Sequence, residues 1–454
     1  MTSLKQYIDL YNANREAIEK NAPAAMNALR AQALKALDGA HLPRRGEENF
    51  EVTDVDQMFA PDYGVNINRV NLTADPSEAF RCDVPNMSTW MFFFYNDVFH
   101  ASRKSPSLPE SVVVEPFSVA QHNHPELLAK HLGSVAPMQN ASVALNTLLA
   151  QEGLLVYIPK GVVLDRPIQL VNIMNAGGPI MAVRRLLIVV GEQAQATMLV
   201  CDHTQNKQHQ FLNNQVVEIV AQPGARFDYY DIEESTLNTR RYNQHFVKQT
   251  ENSDVLINTI TLTNGITRND IVVNVDGEGA ETHVYGMAIE GNDQQIDNYT
   301  FIGHNKPHCN SNELFKYVLD DNAVGGFTGR ILVAEGSEKV EAYQANRNIV
   351  ASDTAKIHTK PQLEIYCDDV KCSHGTAIGQ LDQDAIFYMQ QRGIPLDQAR
   401  TLLMQAFMSD VIDKVRVESL RNRLQHLVEK RFCGQLNHCS DCMNACRETA
   451  EKKD

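Results

Sequence analysis

Apolar residues fall into three textures along this 454-residue chain. Near the N-terminus Leu4, Tyr7, Ile8 and Tyr11 recur at helical spacing, and Ala24 to Leu37 is rich in Ala and Leu. Residues 3–38 are therefore predicted to form two helices divided by Pro23. After a loop at 39–49 comes a mixed region reaching about residue 150. Within it, 125–132 and 141–150 read as short helices between irregular segments.

From Gly153 to Asp382 the texture changes to short β-branched and aliphatic runs: 154–158, 168–173, 186–190, 216–219, 257–262, 271–275, 317–319 and 331–333. A turn followed by a small or polar residue and a fresh strand recurs at Gly191–Ala194, Gly224–Ala225, Asn252–Asp254, Gly279–Ala280, Gly336–Ser337 and Ser352–Ala355. Successive turns at 191, 224, 253 and 279 are 33, 29 and 26 residues apart. A period near 30 suits a solenoid whose coils each bury a face on the next. An antiparallel sandwich produces similar alternation, so periodicity alone leaves both open.

Helical spacing returns at the C-terminal end. One helix is predicted over 384–391, ended by Gly393 and Pro395, a second over 396–408, and a third over 410–430. The third carries Ile412, Val415, Leu420, Leu424 and Leu427 on its apolar side. The chain divides into a helical and mixed α/β region (1–150), a strand-rich core (151–383), a helical unit (384–432) and a Cys-rich tail (433–454).

Charge narrows the function. Forty-one basic against fifty-six acidic residues give a net charge of -15, which argues against a nucleic-acid partner. The N-terminus shows neither the basic stretch nor the apolar block of a secretory signal, and the longest aliphatic run, Leu186 to Val190, is far too short to cross a bilayer. A cytoplasmic chain without membrane contact is expected. Nine cysteines, an odd number, do not suggest a disulfide framework, and clustered thiols in a reducing compartment point to metal.

The densest chemistry lies between Pro361 and Asp382. Cys372 and His374 are two residues apart, so an extended segment places a thiol and an imidazole on one face, about 6 to 7 Å apart. Such a pair supplies half a coordination sphere for iron or zinc. By the same alternation Cys367 would face the other way and read as a packed thiol, while Asp368 and Asp369 suit a turn at least as well as an acid–base pair. His304 and His308 read as interior support. His122, His124 and His131 read as surface or capping residues, because Pro125 and the lack of a Cys or carboxylate make them a poor zinc set. In the tail, Cys433, Cys439, Cys442 and Cys446 follow a C-x5-C-x2-C-x3-C spacing. That spacing fits zinc or an iron-sulfur cluster, against the alternative of a tail whose thiols bind nothing.

Lys360-Pro361-Gln-Leu-Glu-Ile-Tyr366, Asp368-Asp-Val-Lys-Cys-Ser-His-Gly375, Gly379, Asp382, Phe387-Tyr388 and Arg392-Gly-Ile394 resemble, in order and spacing, the signature of the SufB/SufD family of iron-sulfur assembly scaffolds. The Asp-Asp-Val-Lys-Cys-Ser-His form resembles the SufD branch. Weaker matches run from Leu42-Pro-Arg-Arg45 to Leu402-Leu403, leaving out only the last twenty or so residues. The resemblance implies a mainly β fold with a right-handed parallel β-helix core between the N-terminal region and the C-terminal helices. It implies that His374, with Cys372 as a second candidate, handles iron or a nascent cluster at an interface with a SufB-like subunit. It also implies that the helical unit docks a SufC-like ATPase, with Arg392, Gly393, Ile394, Ala399, Arg400 and Leu403 as candidate contacts.

No G-x-x-x-x-G-K-[ST], G-x-G-x-x-G or G-x-S-x-G occurs, so the chain reads as a non-enzymatic scaffold rather than an autonomous catalyst. A rival of another class is a polysaccharide-acting β-helix enzyme, which the single Trp disfavours. A third reading is a SufD-like homodimer that donates iron. Flavin binding is left open.

Overall fold

A computed structural model describes residues 3–69, 76, 88–101 and 107–433. Helices Ser3–Asn21 and Ala24–Leu37 form as expected, and Pro23 occupies the N-cap of the second, where its fixed φ starts a helix without loss of a needed donor. The first helix kinks at Asn14, whose side-chain amide donates to the Leu10 carbonyl at 2.9 Å.

The core is a parallel β-solenoid of two facing ten-stranded sheets, built by strands that alternate between them. One sheet runs from Val113–Pro116 through Leu154–Ile158 to Lys356–Ile365, and the other from Val98–Ala101 through Trp90–Tyr95 to Lys371–Gly379. Register advances by one coil at each rung, as in Asp254 opposite Glu281, Glu281 opposite Asn310 and Asn310 opposite Glu341. The sandwich alternative is thereby excluded. Among the described residues, antiparallel pairs occur only at the N-terminal end, where Val113–Pro116 pairs Leu154–Ile158 and Trp90–Tyr95 pairs Val98–Ala101.

Side-chain alternation sorts most of the strand residues into three main cores, with smaller clusters beside them. Inward residues such as Ile188, Ile219, Val247, Val273, Ile302 and Ile331 fill the solenoid. On the outer face of the first sheet, Leu187, Val189, Leu212 and Tyr242 pack under the N-terminal helices. On the outer face of the second, Leu256, Ile260, Tyr285 and Met287 pack under Met408, Val411, Leu424 and Leu427 of the C-terminal helices.

Many inward positions are polar, which is why the apolar runs mark only part of each strand. Strands such as Thr239–Gln249 and Gln295–His304 carry buried Arg241, Asn243, His245, Asn298 and Thr300 in their inner ladders. Arg241 donates to both Asp231 oxygens at 2.6 and 2.7 Å and to Asp202 at 2.9 Å, and Arg184 reaches Asp202 at 2.8 Å. A second knot ties the N-terminal region to the first sheet. The buried Glu218 carboxylate accepts the backbone N–H groups of Gly133, Val135 and Ala136 at 2.9 to 3.1 Å, and Arg185 donates to it at 2.6 Å.

The C-terminal helices are Gln383–Gln391, Leu396–Ile412 and Glu418–Phe432. The break between the last two therefore falls at 413–417, later than the boundary after residue 408 expected from the sequence. Arg416 fixes that break to the solenoid through Asp228 at 2.7 Å and Asp254 at 3.0 Å, and its backbone N–H donates to the Tyr230 hydroxyl at 2.8 Å. Lys316, buried on the second sheet, donates to the Phe407 carbonyl at 2.8 Å and pairs with Asp410. Replacing Lys316 by Met is expected to remove about 2 kcal/mol, because the Phe407 carbonyl loses a charged donor. Faster amide exchange confined to 396–412 is the expected readout; unchanged exchange there would show that the clamp is idle.

Candidate functional site

The two sheets end together, and their last strands, Lys356–Ile365 and Lys371–Gly379, each lack an outer neighbour among the described residues. Cys372 and His374 lie on the second of these strands, opposite Ala342 and Gln344 of the preceding coil. Ala342 and Gln344 face the solenoid interior, so the thiol and imidazole share the inner face of the final coil, as the spacing predicts. Cys372 is half-buried against the apolar core, whereas His374 is exposed. Burial pushes the Cys372 thiol above its ordinary value, opposed in part by a hydrogen bond from the Ala342 backbone, so a metal or a cation must draw off its proton before it serves as a thiolate ligand.

Cys367 lies in the turn after Lys356–Ile365 rather than on a regular strand, so alternation does not apply to it, and it packs against the same core as Cys372. Asp369 belongs to the turn: its carboxylate pairs with Lys339 at 2.5 Å and its backbone carbonyl accepts the Lys339 N–H at 2.7 Å. His304 is a buried interior residue bonded to Ser311 at 2.9 Å, and burial lowers its pKa to about 4. His131 is not at the surface; it is buried at the end of Pro125–His131, where burial lowers its pKa.

The interior behind His374 is not singled out by the sequence motifs. Gln344 and Glu313 precede His374 by one and two coils in the same ladder, and the Gln344 amide donates to Glu313 at 2.8 Å. Thr300 donates to the other Glu313 oxygen at 2.5 Å. The usable signal is the coil period: stepping back from His374 by one coil and then by a second lands on each in turn. At the open end Thr359 and Thr376 bridge the two sheets at 3.1 Å, and Ile365, Tyr366 and Ile378 stand exposed.

Among the helical candidates, Arg392 is exposed and stacks on Tyr388, Gly393 turns with φ 83°, and Ile394 is half-buried. Ala399 is sealed inside the unit, Arg400 donates to the Ala351 carbonyl at 3.2 Å, and Leu403 packs toward the second sheet. The exposed apolar side chains here are Phe387, Tyr388, Leu396 and Leu402. Cys433 is exposed at the end of the last helix, while Cys439, Cys442 and Cys446 lie outside the described residues. Among the described residues, Asp254, Glu281 and His283 form a group with metal-like spacing, but Asp254 is already paired with Arg416. No helix among the described residues is long and apolar enough to cross a membrane.

The stacked-strand body thus carries a thiol and an imidazole on the inner face of its last described coil. A family model described as the SUF system FeS cluster assembly SufBD core domain matches residues 172–407, and one described as the SufBD protein N-terminal region matches residues 1–170. The chain belongs to the SufBD family of iron-sulfur cluster assembly proteins. It is 29% identical over 411 residues to an iron-sulfur cluster assembly SufBD family protein of Synechocystis, covering 88% of this chain and 90% of the relative. It is 32% identical over 184 residues to the iron-sulfur cluster assembly protein SufD of Escherichia coli, covering 40% of this chain and 44% of that protein. SufD of Bacillus subtilis is 21% identical over 419 residues, covering 90% and 94%.

Proposed function

We propose that this chain is a SufD-type scaffold subunit that works with a SufB-like chain and a SufC-like ATPase, and that His374 and Cys372 receive iron or a nascent cluster where the partner completes the coordination shell. The observation that carries this reading is the position of both side chains on the inner face of the last coil, which has no outer neighbour among the described residues. Soft and imidazole ligands suit iron, and a half-set held by one chain can release its cargo when the other half moves away. The exposed Phe387, Tyr388, Leu396 and Leu402 form the surface for the ATPase, with Arg392 at its edge.

Coexpression of the tagged chain with its neighbouring genes is expected to copurify both partners. His374→Ala is expected to leave that complex intact and lower anaerobic cluster yield at least about tenfold, the usual scale for losing a ligand or its support. Recovery of only a homodimer, or full cluster yield from the variant, would overturn the reading.

A further inference from the structure

Gln344 is 3% exposed, and its two amide atoms have different fates. The nitrogen is held by Glu313, while the oxygen has no hydrogen-bond partner. A Cβ at Gly329, across the solenoid, would stand 2.3 Å from the Gln344 nitrogen, so a side chain there would displace the amide from its present place. Thr300 anchors Glu313 from the other sheet, which fixes the acceptor that orients Gln344. The neighbouring rung holds His374, one strand spacing away, about 4.8 Å along the ladder. At the same open end Thr359 and Thr376 bond each other across the two sheets.

Resting on the reading of His374 as an iron ligand, we propose that Gln344 is its positioning residue: the unpartnered amide oxygen is the acceptor toward which the exposed imidazole turns its N–H, which fixes one tautomer and leaves the other ring nitrogen for iron. A ligating histidine needs such a partner to hold its ring and raise its basicity. Glu313 supports the arrangement from below. Burial raises its pKa to about 7, partly offset by Thr300 and Gln344, so above that pH the ionised carboxylate holds the amide nitrogen and leaves the oxygen free to accept. Tyr317, a titratable neighbour on the same strand, is held far above its ordinary value by burial and stays neutral.

The test is nitrogen NMR of the full-length chain with labelled histidine at pH 8.5, the His374 signals being assigned by their loss in His374→Ala. The native chain is expected to show one His374 tautomer, and Gln344→Met the mixture of a free imidazole. A free-imidazole mixture in the native chain overturns the proposal even if Gln344→Met fails to fold, and an unchanged tautomer in a folded Gln344→Met does so as well. In the copurified complex, Gln344→Met is expected to weaken iron retention about 10- to 100-fold. The tautomer readout does not depend on cluster assembly: a locked tautomer with full cluster yield from His374→Ala sinks the functional reading alone.

Discussion

Arg241→Met is expected to leave little folded protein. The guanidinium is buried inside the solenoid and neutralises Asp231 and Asp202, with Glu233 at 3.9 Å. Burial alone would raise the Asp231 pKa, yet Arg241 and His245 hold it at about 2, so the carboxylate depends on its partners. Removing one partner of a buried ion pair costs roughly 3 to 5 kcal/mol, a large share of the about 5 to 15 kcal/mol by which a domain is stable. Arg241→Lys keeps the charge but loses the fork, so it should fall between the two. Urea unfolding decides the matter, and a midpoint for Arg241→Met close to that of the native chain would show that the inner charges are not a structural unit.

Stability is expected to decline on the alkaline side. Burial raises the carboxyls of Glu233 and Glu313 to about 7 and that of Glu290 to about 8. A carboxyl whose folded pKa lies above its unfolded one contributes its full stability below the unfolded value and loses it as pH rises through the folded value. The window is therefore about pH 4.5 to 8. His304 acts in the opposite sense: its folded pKa of about 4 gives stability that is present above about 6.5 and lost as pH falls toward 4. With three carboxyls losing stability upward from about 4.5 and one imidazole gaining it, these groups together place the maximum at about pH 4.5. Both Glu290 oxygens lack a hydrogen-bond partner, so Glu290→Gln is expected to stabilise the chain by about 3 kcal/mol at pH 8.5 and hardly at pH 5. Parallel stability-versus-pH curves for the two proteins would refute this.

The period and the turns were legible because each coil needs a glycine, asparagine or small residue at its corners, as at Gly224 and Asn252, both with positive φ. Strand lengths were not, because a flattened solenoid can bury polar rows when each rung bonds the next. Asn269 donates to Asn298 at 2.9 Å, and Asn298 to the Tyr317 hydroxyl at 2.6 Å, so the inner face does not read as apolar. Cys372 and His374 were legible from local spacing. Gln344 and Glu313 were not, because their proximity to His374 comes from the stacking of coils. Ala399 is buried within the helical unit, and a sequence match does not distinguish a residue that packs a unit from one that meets a partner.

The solenoid starts with antiparallel pairs and finishes on two strands that have no outer neighbour among the described residues, one of which carries a proline, Pro361. Proline withholds a donor from any strand that would extend the ladder, which discourages stacking of one copy on another in continuous register. Among the described residues two rims of backbone stay without a ladder partner, so under the proposed function the amount of this chain that persists in a cell should track the supply of the subunit that covers them.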